Sequence, residues 1–256
     1  NAITVSPSSI SYAGYLSSGI GQEISLVATG EDVNKTFTAQ TSGNIYASFL
    51  VNVSSSSITG DYFFNFGAST ISTNFRGRLF VKKDASNNLA FGISQSTTTA
   101  NLTPYTYSLN TTYLIVVRYT VVSGATNDIS AIYINPPLFS AEPVSGWIAN
   151  TDVSGTDLTD VGSIALRQGT TANATGLKLD GIRVSTTWSD IVGPIVPAII
   201  ADPTALNGFT YAGSGPSSEQ SFTVSGVNLT NDITITPPAD YEISTTTGGA
   251  FIATNP

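Results

Sequence analysis

Three residue types are missing from the chain: it has no Cys, no His and no Met. Without Cys there is no disulfide, no thiolate nucleophile and no Cys-based zinc or iron–sulfur site. Without His, Ser-His-Asp chemistry, imidazole general bases and imidazole metal ligands are excluded. Without Met, residue 1 reads as the start of a processed chain or of an internal piece of a longer one. Charge is scarce too: 10% of the 256 residues are charged, against about 25% in an average soluble domain. The balance is acidic, with 17 acids, 9 bases and a net charge of −8. Such a chain offers no run of cations to neutralise phosphates, which argues against nucleic acid as a partner and against anionic membrane surfaces. No apolar run approaches about 18 residues, so no membrane span is expected.

What is present favours β-structure. Hydrophobic residues make up 41% of the chain, ample for a core, and the polar remainder is rich in Ser, Thr, Asn and Gly, the usage of sheet surfaces and turns. Residues 44–53 (NIYASFLVNV) alternate with period two, placing Ile45, Ala47, Phe49, Val51 and Val53 on one face. Residues 22–28 predict a strand with Ile24 and Val27 near one face, and 61–67 (DYFFNFG) a short strand buried on both faces. Residues 76–83 and 89–94, joined by the polar turn 84–88, predict a hairpin. The strongest strand is 113–122 (YLIVVRYTVV), with Ile115 and Val117 on one face, Leu114 and Val116 on the other, and both sets buried. It returns through 128–135, stopped by Pro136 and Pro137. Strands at 163–168 and 177–185 follow, and 187–192 has room for one helical turn. Many short strands at near-regular spacing predict an all-β, antiparallel sandwich or jelly roll.

Prolines at 194, 197 and 203 mark a joint. The expected organisation is a jelly-roll domain at 1–192, a Pro-rich linker at 193–202 and a small β-sandwich at 203–256. Strands are expected at 205–211, 220–226, 232–236 and 241–245, with Tyr211, Phe222, Val224, Ile233, Ile235, Tyr241 and Ile243 lining a core. An Ig-like sandwich takes about 100 residues; the shorter stretch here reads as partial, completed by further chain or by a neighbour's strands.

Several segments carry a resemblance. GEDVNKTF, GDYFFNFG, FRGRLFVKKD, YLIVVRYTVVSGATND, GSIALRQG and LDGIRVSTTWSDIV make residues 1–192 similar to the concanavalin A-like (laminin G-like) jelly-roll modules of secreted Bacteroidota proteins. The stretch SSEQSFTVSGVNLTNDITITPPADYEIST makes 203–256 resemble the Ig-like repeats of the same proteins. The resemblance implies a secreted or cell-surface protein exported by the type IX route. It also implies a role for Asp180, on the closing strand, in holding a structural Ca²⁺. Hydrolases of this superfamily carry an ExDxxE or ExDxE ladder that points alternate carboxylates into one groove. No such ladder exists here, and Glu23, Glu31, Glu142, Glu219 and Glu242 are scattered and read as solvated surface. The expectation is therefore that the protein is not an enzyme.

Other residues are candidates for binding. The acidic loop 150–160 offers Asp152, Asp157 and Asp160 to a hard cation such as Ca²⁺; the alternative is a solvated turn. Sugar recognition needs flat aromatics beside planar polar groups. Trp147 is the candidate platform, unless it packs inward, while Trp188 is placed as a plug at the end of the sandwich. Tyr105 and Tyr107 alternate onto one side, as a second patch or a core face. Arg76 and Arg78 share a strand face, suited to a carboxylated or sulfated glycan or to a plain polar exterior. Three functions remain open: a non-catalytic secreted or surface module acting in adhesion or binding glycan or another cell-surface ligand, a filament or layer subunit binding further copies of itself by strand donation, and a glycan-degrading enzyme or its accessory.

Overall fold

The computed structural model describes residues 2–173, 175–193, 197–210, 213, 216–227, 229 and 231–253. They form two compact units, Asn1–Pro194 and Ile195–Pro256. The chain is 40% strand and 2% helix, which makes it an all-β protein. In chain order the first strands are β1 (Thr4–Val5), β2 (Ile24–Leu26), β3 (Val33–Gln40), β4 (Gly43–Ser55) and β5 (Asp61–Gly67). Next come β6 (Arg76–Lys83), β7 (Leu89–Ser94), β8 (Asn101–Leu102), β9 (Thr112–Val121) and β10 (Ile129–Ile134). The first unit closes with β11 (Ile148–Asn150), β12 (Val161–Leu166), β13 (Gly176–Ser185) and the single-turn helix α1 (Trp188–Val192). Strands β14 (Ala198–Asp202) and β15 (Thr223–Val227) belong to the second unit.

Two antiparallel sheets build the first unit. One has the order β1-β2-β13-β4-β9-β10-β11 and the other β3-β12-β5-β6-β7-β8. Strands β4 and β9 pair at the centre of the seven-stranded sheet, with Ala47 opposite Val117 and Phe49 opposite Ile115. Their inward side chains, Ile45 to Val53 on alternate positions and Ile115, Val117 and Tyr119, are fully buried. They meet Phe64, Phe66, Leu79, Val81, Phe91 and Ile93 of the six-stranded sheet in one core. Each such Val, Leu, Ile or Phe side chain contributes roughly 1.5–3 kcal/mol by leaving water.

The seven-stranded sheet is covered on its outer face as well, which explains the continuous apolar run of β9. Leu50 and Leu114 pack beneath Ile10 and Tyr15 of the N-terminal segment. Tyr46, Val116 and Tyr133 pack beneath Trp188, Ile191 and Val192. The N-terminal segment is fastened by Asp180, whose Oδ2 accepts from Ser9 Oγ at 2.6 Å and Ile10 N at 2.7 Å. Tyr15 donates to the Gly181 carbonyl at 2.6 Å. Gly181 has φ +62°, and a Cβ there would lie 2.9 Å from the Ser17 carbonyl oxygen, so both conformation and space demand glycine.

Three expectations change. In β2 the buried residue is Leu26, and Val27 is exposed, because Ile24 and Leu26, two apart, share the inward face. The segment expected as a linker, 193–202, ends in β14, which pairs antiparallel with β15 from Ala198–Val227 to Asp202–Thr223. Residues 205–210 and 232–236 form no strand, and 241–245 contribute only the bridge Ile243–Ile252. Tyr211 lies outside the described residues. No residue from 197 onward whose burial is described is buried: Ser, Thr, Gly and Pro dominate there, and the apolar side chains described stay partly in water.

Candidate functional site

The outer face of the six-stranded sheet is built differently. Leu79 and Val81 of β6 point into the core, so by alternation Arg78, Phe80 and Lys82 point out. Strand β5 adds Tyr62 opposite Phe80. Strict alternation would send Tyr62 inward with Phe64 and Phe66. A register shift between Tyr62 and Phe64 turns it outward instead. The Tyr62 and Phe80 rings lie 5.5 Å apart, tilted by 54°. Both are half-buried, and neither belongs to a core cluster.

Two guanidinium groups sit on the Tyr62 ring, Arg167 at 4.3 Å and Arg78 at 5.4 Å from its centre, within cation–π range. Arg167 is also tied to Asp61 at 2.7 Å and to the Tyr62 carbonyl. Arg78 donates through Nε to the Phe75 carbonyl at 3.2 Å and through Nη1 to the Thr97 carbonyl at 3.3 Å. Burial pushes the Tyr62 hydroxyl above its ordinary pKa, against the pull of Arg167 and Arg78, so it stays a neutral donor. On β7 the residues opposite Lys82, Phe80 and Arg78 are Ala90, Gly92 and Ser94, too small to cover them. The result is a half-buried face with an aromatic pair and fixed planar donors, bordered on β7 by the buried Ala90, Gly92 and Ser94 and by the Leu102 side chain over Gly92. Of this group, sequence reasoning named only Arg78.

Arg76 has another role. It is buried beneath the acidic loop and donates to the Thr156 and Phe75 carbonyls. The loop carboxylates do not converge. Asp152 accepts from Ser96 Oγ at 2.7 Å and from Ser154 N, Asp160 accepts from Ser69 N at 2.7 Å, and Asp157 Oδ2 accepts from Asn127 N at 2.7 Å. Asp157 Oδ1 is buried without a partner, but the neighbouring Asp128 already accepts from Tyr119 and Val122 N. Asp180 faces N–H and O–H donors rather than oxygen ligands; its Oδ1 takes Gly181 N at 2.7 Å. No group of three metal-ligating side chains gathers among the described residues. A hard cation needs about six to eight oxygens, so the residues proposed for Ca²⁺ do not fit it.

The aromatic candidates also resolve. Trp147 is not an open platform: it is half-buried on the outer cluster of the seven-stranded sheet, with the Arg118 guanidinium 5.2 Å from its ring. Arg118 is fixed by an ion pair with Glu142, which also accepts from the hydroxyls of Tyr46 and Tyr133. Burial works against the Glu142 carboxylate, but those two hydroxyls and Arg118 hold its pKa below the ordinary value. Burial and Glu142 push Tyr46 up to about 12. A tyrosine so held is a poor general base and a carboxylate so engaged a poor nucleophile, so the cluster is a clamp on the 136–147 loop. Trp188 is buried in the same cluster. Tyr107 packs at the core edge, 5.3 Å from Phe91 and 5.2 Å from Tyr113, while Tyr105 is half-buried.

Glu23 is likewise not solvated surface. It is buried, paired with Lys178 and bonded to Ser8 Oγ at 2.7 Å. It borders a shallow polar groove with Ser9, Asn52, Ser54, Thr112 and Lys178. Nothing in the scattered spacing of the Glu residues marks Glu23 or Glu142, because each finds its partners through long-range pairing.

The first unit is an all-β, antiparallel jelly-roll β-sandwich. No protein-family model matches the chain, and no curated protein does. Among solved structures it is similar to a heptameric SAP-like pentraxin from Limulus polyphemus, at 13% identity over 79% of this chain and 91% of that one, with TM-score 0.45. It is similar also to an endo-β-1,4-glucuronan lyase from the fungus Trichoderma reesei, at 14% identity over 75% and 90%, with TM-score 0.44. A third is CG-16, a homodimeric agglutinin from chicken liver, at 11% identity over 60% and 100%, with TM-score 0.36.

Proposed function

We propose that this is a non-catalytic glycan-binding module, secreted or displayed at a cell surface, that holds its ligand on the outer face of the six-stranded sheet. One observation carries the reading: Tyr62 and Phe80 form a ring pair outside every core cluster, on a face flanked by the fixed donors of Arg78 and Arg167. Flat aromatics beside planar donors suit sugar rings. The carboxylates best placed for chemistry, Glu23 and Glu142, are each engaged by two or more donors, which supports binding without turnover. The test is affinity electrophoresis of the 1–256 protein through gels containing neutral or acidic polysaccharide, with the same polymers assayed for chain cleavage. Retardation that Tyr62→Ala or Phe80→Ala abolishes, with no cleavage, is the expected result. Unaltered mobility in every gel would defeat the reading, and cleavage would defeat its non-catalytic half.

A second reading rests on the second unit. Ile199 is 60% exposed and Tyr241 45%, and β14 and β15 pair only with each other among the described residues. Open edges and uncovered apolar side chains favour pairing with further copies, as in a surface filament or layer. Light-scattering mass across a dilution series separates the two: a monomer at every concentration removes the assembly reading.

A further inference from the structure

The nine basic residues of this acidic chain are not evenly spread: Arg76, Arg78, Lys82 and Lys83 all lie on the eight residues of β6. The carboxylate ion pairs among the described residues are Arg118–Glu142, Arg167–Asp61 and Lys178–Glu23. None involves β6. Arg76 is turned beneath its loop, and Lys83 bonds Asn87. Among the described residues Arg78 meets the neutral carbonyls of Phe75 and Thr97 and the Tyr62 ring, and pairs with no carboxylate. Lys82, half-buried on the same face, makes no hydrogen bond or ion pair among the described residues. A protein with net charge −8 thus keeps two unneutralised cations beside its aromatic pair. Acids outnumber bases elsewhere, so partners for these cations were available to the sequence and are absent.

Resting on the reading above, we propose that the ligand is an acidic saccharide, a chain bearing carboxylate or sulfate groups, that lies along β6 with its anionic groups at Arg78 and Lys82 and its uncharged ring faces against Phe80 and Tyr62. At about 3.3 Å per residue, positions 78 and 82 are roughly 13 Å apart along the strand. With the Arg78 guanidinium held at the Phe75 and Thr97 carbonyls, one small anion does not bridge the two cations without freeing it. The ligand therefore carries at least two anions separated by an uncharged stretch. An acidic peptide suits the face less well, because β6 is an interior strand, paired on both sides by β5 and β7, and offers no edge for an added strand. Arg167, already tied to Asp61, orders the Tyr62 ring and leaves the anion to its neighbours. Since surface attraction is screened over about 8 Å at physiological salt, the overall acidity of the protein does not cancel the local attraction.

The test is calorimetric titration of the 1–256 protein with galacturonate hexasaccharide, with the neutral cellohexaose and with a hexaglutamate peptide, for wild type, Arg78→Gln and Lys82→Gln. Lys82 has no internal bond to lose, so its variant remains informative if Arg78→Gln disturbs its loop. Galacturonate binding is expected to exceed cellohexaose binding by roughly tenfold, and each variant to weaken it roughly tenfold, a loss of about 1.4 kcal/mol. Raising the salt concentration is expected to weaken it as well. If cellohexaose binds as tightly and the variants change nothing, the anionic assignment fails while glycan binding stands. If hexaglutamate binds as well as the saccharide, charge alone is being read and the saccharide assignment fails. If Tyr62→Ala, Phe80→Ala and wild type alike bind no saccharide, the underlying reading fails with it.

Discussion

The two outer faces of the sandwich are made from strands with the same alternation and are put to opposite uses. On the seven-stranded sheet the outward residues Leu50, Leu114, Val116 and Tyr46 are apolar or aromatic, and the chain returns twice to cover them, with Ile10 and Tyr15 and then with Trp188 and Ile191. On the six-stranded sheet the outward residues of β5 and β6 include Tyr62, Arg78, Phe80 and Lys82, which remain half-buried and belong to no core cluster, while the outward Ala90, Gly92 and Ser94 of β7 are buried. The difference teaches where to look for function. A doubly covered face adds to the stability of the fold, whereas the half-buried rings and unpaired cations of the other face are what the binding proposal rests on.

Substitutions break the comparison in order of expected size. Val117→Asp, in the core shared by both sheets, places an unpaired charge among Phe and Val side chains and is expected to cost at least about 4 kcal/mol and to unfold the first unit. Thermal unfolding checks it, and a wild-type melting temperature would show β9 to be peripheral. Trp188→Ala strips the cover from Tyr46 and Tyr133 and is expected to cost about 3 kcal/mol while leaving glycan affinity unchanged. Gly181→Ala, at φ +62° against the Ser17 carbonyl, is expected to cost about 1–3 kcal/mol, visible in chemical denaturation. Phe80→Ala reverses the pattern, with saccharide affinity lost and stability changed by about 1 kcal/mol or less.

The smallest effect is a dependence on pH. Glu142 is held below the ordinary carboxyl value of 4.5 in the fold. Its unfolded form therefore takes up a proton first, and its contribution is intact above that value and is lost as pH falls through the lower folded value. Denaturation midpoints measured from pH 6 downward are expected to fall in wild type and to fall less in Glu142→Gln. An equal decline in both would remove the clamp from the account.

The core of the first unit was legible because period two survives on β4 and β9 without interruption, so Ile45, Phe49, Ile115 and Val117 could be assigned to faces before any pairing was known. The site was legible only at Arg78. Tyr62 falls on the wrong face by alternation, and the register shift that corrects it arises in the pairing of β5 with β6. Arg167 arrives from beyond β12, which pairs with β5, and no local pattern links positions 62 and 167. The acidic loop misled for the opposite reason: Asp152, Asp157 and Asp160 are close in sequence, but each is drawn to a different segment by a backbone or hydroxyl donor. In the second unit the alternation of 232–236 is as clean as in many strands, yet those residues form no strand. A strand pattern records which face would be buried, and burial itself depends on a second layer.

The most direct measurement of the central claim is a map of amide chemical-shift changes in the isotopically labelled 1–256 protein titrated with galacturonate hexasaccharide. The changes are expected to centre on Tyr62, Arg78, Phe80 and Lys82 and to spare Leu114, Val116 and Ile191 at the covered face. Changes centred on the seven-stranded sheet or on residues after 197, with β6 unmoved, would contradict it.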